Sequence, residues 1–268
     1  MEESVVGNEP VESNARYKIQ SIDKALDLIE LLAKNGSLSL IELTELLDQP
    51  KSSTYRIVLT LESRGFISRS DEDGKYCLGY KQLMLTRNLL ERNTLRSAAW
   101  LEMKKLSERY GDTVNLGVLL GETVLYVEII DSIHALRMTD SIGSRSPFHA
   151  TAMGKAITAH MQWEEVRGLA MSCGLPAITP RTISTPEALQ AELERIREQG
   201  YAIDDEEIVE GARCVAAPVF NLYGKPAGAI SLSGAMHRFK EDQLPSIIED
   251  VREAAMAISV KLGYSTEA

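Results

Sequence analysis

Between Ser21 and Leu78, three short helix-forming segments are followed at once by two strand-forming runs around a tight acidic turn, and few small folds accept that order. Residues 21–34 repeat Ile22, Ala25, Leu26, Ile29 and Leu32 at helical spacing, and Asn35-Gly36 supplies the stop. Ser39-Leu40-Ile41-Glu42 has the capping-box pattern, in which Ser and Glu satisfy the open amides of a helix start, and Leu43, Leu46 and Leu47 follow as its apolar side. Asp48-Gln49-Pro50 breaks the chain before a third helix over residues 51–63, Pro being suited to a first helical turn. Residues 65–69 and 75–78 read as strands joined by Asp71-Glu72-Asp73-Gly74.

Three helices and a hairpin make a winged helix-turn-helix over residues 16–79, with the third helix placed for the major groove of double-stranded DNA. Thr54, Ile57, Val58 and Leu61 form that helix's inward stripe, while Ser52, Ser53, Arg56 and Thr60 lie on the other side with Tyr55 beside them. Small hydroxyls at a helix start reach phosphates or bases without blocking approach, and Arg56 can fork onto guanine or phosphate. Arg69 and Lys75 on the hairpin are candidates for the flanking backbone or minor groove. A solvated helix face is the plain alternative for one such helix, and the hairpin that follows is what tips the reading toward DNA.

The net charge of −10 at first opposes nucleic acid, but it is unevenly spread. Residues 1–15 contribute −4, residues 16–80 only −1, and residues 81–268 the remaining −5. A near-neutral reader beside an acidic domain can bind DNA when its bases share one face. Residues 1–15 carry Glu2, Glu3, Glu9 and Glu12 and no base, so a disordered acidic tail is expected there rather than a signal or transit peptide. No apolar run approaches the roughly 18–20 residues that cross a bilayer. A cytoplasmic protein without membrane contact is expected. Cys77, Cys173 and Cys214 are too scattered for a disulfide framework or a zinc site.

Beyond Tyr80 the texture changes. Residues 80–94 read as a linker helix with Leu83, Met84, Leu89 and Leu90 on its apolar side, and residues 95–110 as a longer helix opening a second domain, 95–268. Strands are expected at 113–119, 123–130, 134–138, 201–204, 215–220 and 227–233, and helices at 152–160, 164–171, 186–199 and 243–262. Helices segregated around an antiparallel sheet make an α+β domain. His149-Ala150-Thr151-Ala152-Met153-Gly154-Lys155-Ala156, then residues 200–207, 211–219 and 229–234 in order, resemble the signatures of the isocitrate-lyase-regulator (IclR) family. The resemblance covers about residues 20 to 262. It implies a mixed fold, with the winged helix-turn-helix joined to a GAF-like effector-binding domain, and a homodimer or homotetramer.

By position, the resemblance also implies a small-molecule effector site at Ala135, Met138, Ser146, Ala152, Met153, Asp204, Cys214, Ser231 and Ser233. The residues suit that use. Ala152 and Met153 stand at an expected helix start, where open amides favour a carboxylate. Ser231 and Ser233, two apart on a strand, share a face and carry hydroxyl donors. Asp204 would accept from a ligand hydroxyl or amine, Cys214 would line the wall, and Ala135 with Met138 would form an apolar lid.

Other chemistries find less footing. Gly154-Lys155 lacks the P-loop's earlier glycine, which is His149, and its hydroxyl, which is Ala156. Ser231, His149 and Asp204 could be assembled into a hydrolase triad, but no G-x-S-x-G elbow is present. The four histidines are scattered, so no metal, cofactor or catalytic residue is expected, and the chain is read as no enzyme. His149 is expected to hold the loop before its helix, and Arg213 to brace Asp205, Glu206 or Glu207. The sequence thus reads as a DNA-binding regulator, repressor before activator, controlled by a compact polar or carboxylate metabolite. A GAF-like sensor or protein-interaction module without DNA binding is the alternative.

Overall fold

The computed structural model describes residues 19–85, 94–135 and 140–265. The acidic tail, part of the expected linker helix and Met138 fall outside them. The chain divides into two compact units, Met1–Arg92 and Asn93–Ala268.

The first unit runs α1 (Gln20–Asn35), β1 (Ser37–Leu38), α2 (Leu40–Leu46), α3 (Lys51–Ser63), β2 (Ile67–Arg69) and β3 (Tyr76–Leu78). Gly36, at φ 76, closes α1 in a conformation that a side chain would strain. The capping box forms in full at α2: Ser39 N donates to Glu42 Oε2 at 2.7 Å, and Glu42 N to Ser39 Oγ at 3.3 Å. Pro50 is the residue preceding α3, which spans the expected 51–63. Leu28, Leu32, Leu43, Leu47, Val58 and Ile67 make the core, each contributing about 1.5–3 kcal/mol by leaving water. β1 was not anticipated. Its two residues pair with Cys77 and Tyr76, giving a three-stranded sheet β1-β3-β2. Residues 81–85 are helical.

The second unit runs α4 (Thr94–Tyr110), β4 (Thr113–Leu120), β5 (Thr123–Ile130), β6 (Arg145–Pro147), α5 (Ala152–Thr158), α6 (Trp163–Cys173), α7 (Pro186–Gln199), β7 (Ala202–Asp205), β8 (Ala212–Phe220), β9 (Pro226–Ala235) and α8 (Leu244–Lys261). Its six strands form one antiparallel sheet ordered β6-β5-β4-β9-β8-β7. Of the strand expected at 134–138, residues 136–138 lie outside the described residues. His134 and Ala135 lie in bends, because Ser132 and Ile133 are tied to the Gly111 carbonyl at 2.8 and 3.0 Å as the chain leaves β5. The edge is β6, whose Pro147 is tolerated because an edge strand leaves one side unpaired.

Strand alternation assigns the two faces of this sheet. Val114, Leu116, Val215, Ala217, Val219, Ile230 and Leu232 face α4 and α8, and pack there with Met103, Val251 and Ile258. The intervening residues, Thr113, Asn115, Cys214, Ala216, Ala229, Ser231 and Ser233, are small or polar and face the α5–α7 side. That face cannot be filled by its own side chains. The difference between the two sides is what makes room for a site.

Candidate functional site

On the first unit, Ser52, Arg56 and Thr60 are exposed, Ser53 is half-buried, and Tyr55 is 45% exposed. Ser52, Tyr55 and Arg56 stand at i, i+3 and i+4 and so share one outward strip of α3. Thr60 spends its hydroxyl proton on the Arg56 carbonyl at 2.8 Å, which leaves it an acceptor. Ser53, Arg56 and Thr60 also border a groove of about 660 Å³ between α1 and α3, floored by Ile22, Leu26, Ile57 and Phe66. Arg69 turns back on its own hairpin, Nε donating to the Gly74 carbonyl at 3.1 Å with the guanidinium 5.7 Å from the Tyr76 ring. It braces the wing, whose tip carries the exposed Asp71, Glu72 and Asp73. Lys75 stands at the stem, half-buried, where its charge helps hold the Glu42 carboxyl below its usual range after the Ser39 hydrogen bonds.

On the second unit, a cavity of about 290 Å³ opens over the small-residue face. Ser146 from β6, Ala152 and Met153 from α5, Asp204 from β7, Cys214 from β8, and Ser231 and Ser233 from β9 all line it. Ala135 does not. It is exposed in the loop that Ser132 anchors at Gly111. Met153 also packs over Gly117, where a Cβ would come within 3.1 Å of its sulfur.

Five lining residues were not anticipated: Tyr126, Asp140, Thr151, Ile208 and Val209. Alternation along β5 could have given Tyr126. Ile208 and Val209 sit in the loop after β7, where no period exists to read. That loop starts at Glu206, a non-glycine residue at φ 65. Arg181 holds the Glu206 carboxylate at 3.1 Å and Gly211 N donates to it at 2.7 Å, offsetting the strain.

Burial governs the electrostatics. It pushes the Asp204 carboxyl up to about 6, against the Glu207 amide at 2.7 Å and the charge of Lys155, which favour ionisation. Burial likewise raises the Cys214 thiol, so it lines the wall as a neutral group rather than a nucleophile. Beneath Asp204 lies Lys155, at 0% exposure, donating to the Ile203 carbonyl at 2.7 Å and to the Glu207 carboxylate. Glu192 stands 3.6 Å from the same ammonium. His149 is buried with Nε2 3.1 Å from the Pro176 carbonyl, which ties the loop before α5 in place. Arg213 donates to Asp205 at 2.6 Å and to the Phe239 carbonyl at 2.9 Å.

Known proteins share this chain's sequence and fold. The family described as "Bacterial transcriptional regulator IclR C-terminal" matches residues 87–260, and "IclR helix-turn-helix domain" matches residues 21–71. The HTH-type transcriptional regulator KdgR of Escherichia coli (strain K12) is 33% identical over 246 residues, spanning 92% of this chain and 94% of the relative. The transcriptional repressor IclR of the same organism is 32% identical over 252 residues, 93% of this chain and 92% of the relative. The crystal structure of the Thermotoga maritima IclR superposes with a TM-score of 0.78 at 31% identity, covering 92% of this chain and 100% of that one.

Proposed function

The chain belongs to the IclR family of DNA-binding transcriptional regulators, and from that premise we propose that it is a repressor released by a compact carboxylate metabolite held in the cavity over β7–β9. The reader is assigned to residues 16–79, the linker to 80–94 and the sensor to 95–268. Ser52, Ser53, Tyr55, Arg56 and Thr60 meet the major groove. Arg69 and Lys75 meet backbone phosphate from the stem of the wing, because its tip is acidic and repelled by DNA. A homodimer or a pair of dimers sets two α3 helices one or more turns apart on a near-palindromic site.

One observation carries the sensor reading. Ser231, Ser233, Asp204 and Cys214 converge on one cavity whose about 290 Å³ suits a small ligand. Ser231 and Ser233 accept from Asn115 and Asp204 accepts from the Glu207 amide, and each keeps bonding capacity beyond those contacts, which suits a polar ligand in the cavity they line. Ligand can shift the protein between DNA-competent and incompetent states only by binding them unequally.

Isothermal titration of the full chain with acetate, lactate, succinate and benzoate tests the assignment. At least one should bind, and Ser231→Ala with Ser233→Ala should weaken it by about tenfold or more while DNA binding persists, since hydrogen bonds to a charged group are worth about 1.5–3 kcal/mol. Unchanged affinity in the double variant would place the ligand elsewhere.

A further inference from the structure

A row of paired residues crosses the cavity face of the sheet: Asp204 beside Cys214, Cys214 beside Ser233, and Ser233 beside Thr113. One step along, Ser231 pairs with Asn115 on β4. The serines open on the cavity, while Thr113 and Asn115 are buried at 0% and 2% exposure. Asn115 Nδ2 donates to Ser231 Oγ at 3.3 Å and to Ser233 Oγ at 3.1 Å. Asn115 Oδ1 and Thr113 Oγ1 are buried with no hydrogen-bond partner among the described residues.

The direction of those two bonds decides what the serines can offer. An amide nitrogen carries two protons, and here each meets a serine oxygen. The reversed amide would bury both protons unpaired, the costlier arrangement, since orphaned N–H groups are rarer than under-used carbonyls. A serine oxygen that accepts from Asn115 still has its own proton to give; it turns away from Asn115, toward the cavity and, for Ser233, the neighbouring Cys214 thiol, a weak acceptor that a carboxylate oxygen outcompetes. Leu119, on the same face of β4 as Asn115, packs against the aliphatic cluster there with no polar group to satisfy. Fold alone therefore does not require an amide at position 115, with one oxygen left unpaired.

We infer that Asn115 is the specificity-determining positioning residue of the cavity. It sets Ser231 and Ser233 as a pair of donors, so the ligand group that meets them is an acceptor, the oxygens of a carboxylate, and not an amide nitrogen or an ammonium. Two donors two residues apart on one strand match the two oxygens of a carboxylate. This rests on the reading of the cavity as the effector site.

The test uses the full chain and matched acid–amide pairs, lactate with lactamide and benzoate with benzamide, titrated calorimetrically into wild type, Asn115→Asp and Asn115→Leu. Wild type binds one acid at least about tenfold more tightly than its amide. In N115D the carboxylate can only accept, so the serine protons turn inward, their lone pairs face the cavity, and the preference shifts to the amide. N115D also adds charge. N115L adds none, has similar volume and frees the hydroxyls, so the acid-to-amide ratio falls toward one while thermal unfolding stays cooperative. A ratio unchanged in folded N115L overturns the role of Asn115 and leaves the effector reading standing. Failure of every acid to bind wild type overturns the effector reading and this inference with it.

Discussion

Replacing Lys155 by Met should destabilise the second unit, and by more as pH rises. Lys155 Nζ is held by the Ile203 carbonyl at 2.7 Å, the Glu207 carboxylate and, at 3.6 Å, Glu192. Met keeps the stem and removes the charge. Breaking a buried pair by deleting one partner costs about 3–5 kcal/mol, because the other charge is left without compensation. Glu207 limits that loss by taking up a proton. Burial already raises its carboxyl to about 7 with Lys155 beside it, and without the ammonium it rises further. A carboxyl raised on folding contributes stability that is present below its unfolded value, near 4.5, and lost as pH climbs through the folded value. In the variant that loss continues above pH 7. The gap from wild type should therefore widen there, by at most about 1.4 kcal/mol per pH unit for one proton. Urea unfolding at several pH values measures it. The chain's two tryptophans, Trp100 and Trp163, both lie in the second unit, so their fluorescence reports that unit alone. Lys155→Met with Glu207→Leu should recover most of the loss, since an apolar pair of similar volume is often near neutral. A K155M variant as stable as wild type across the range, or a gap that narrows as pH rises, would refute the reasoning.

Three further outcomes are expected. A Cβ at Gly154 would sit 2.1 Å from the Phe148 carbonyl oxygen and 2.5 Å from its Cα, so Gly154→Ala should force α5 off the preceding turn and cost about 1–3 kcal/mol, read as a lower thermal midpoint; no change would mean the turn yields freely. Carboxylate binding should strengthen as pH falls through about 6, because an anion beside Asp204 favours its neutral form, by up to about tenfold per unit, and Asp204→Asn should flatten the profile. A wild-type profile already flat would separate the ligand from Asp204. Arg56→Ala should weaken operator binding by about 1–3 kcal/mol in fluorescence anisotropy and leave ligand affinity unchanged; equal operator affinity would remove Arg56 from the interface.

The first unit was legible because its signals are local. The capping box, the apolar stripes and the Asn35-Gly36 stop each lie within a few residues of the structure they form. β1 was not, since Ser37 and Leu38 become a strand only through partners about forty residues on. The same holds for the edge of the large sheet. Arg145–Pro147 has no alternation to read, and the start of the strand expected at 134–138 is bent where Ser132 is tied at Gly111, a contact that no local pattern marks. Alternation put Ser231 and Ser233 on one face, and the family resemblance added Asp204, Cys214, Ser146, Ala152 and Met153. Lys155 stands out in the sequence only beside Gly154 as an incomplete P-loop, because its partner Glu207 is 52 residues away and nothing local marks the pair. Asn115 carries one local signal, an amide between Val114 and Leu116 in a strand rich in aliphatic residues.

The most direct test of the whole account is selection of bound duplexes from a genomic library by the full chain, repeated over a salt series and then with the carboxylate that titrates into the cavity. The account predicts enriched fragments sharing a near-palindromic motif, affinity that falls steeply with salt, and release of those fragments by the carboxylate in wild type but not in the Ser231→Ala, Ser233→Ala variant. Enrichment without a shared motif, or release that is the same in the variant, would contradict it.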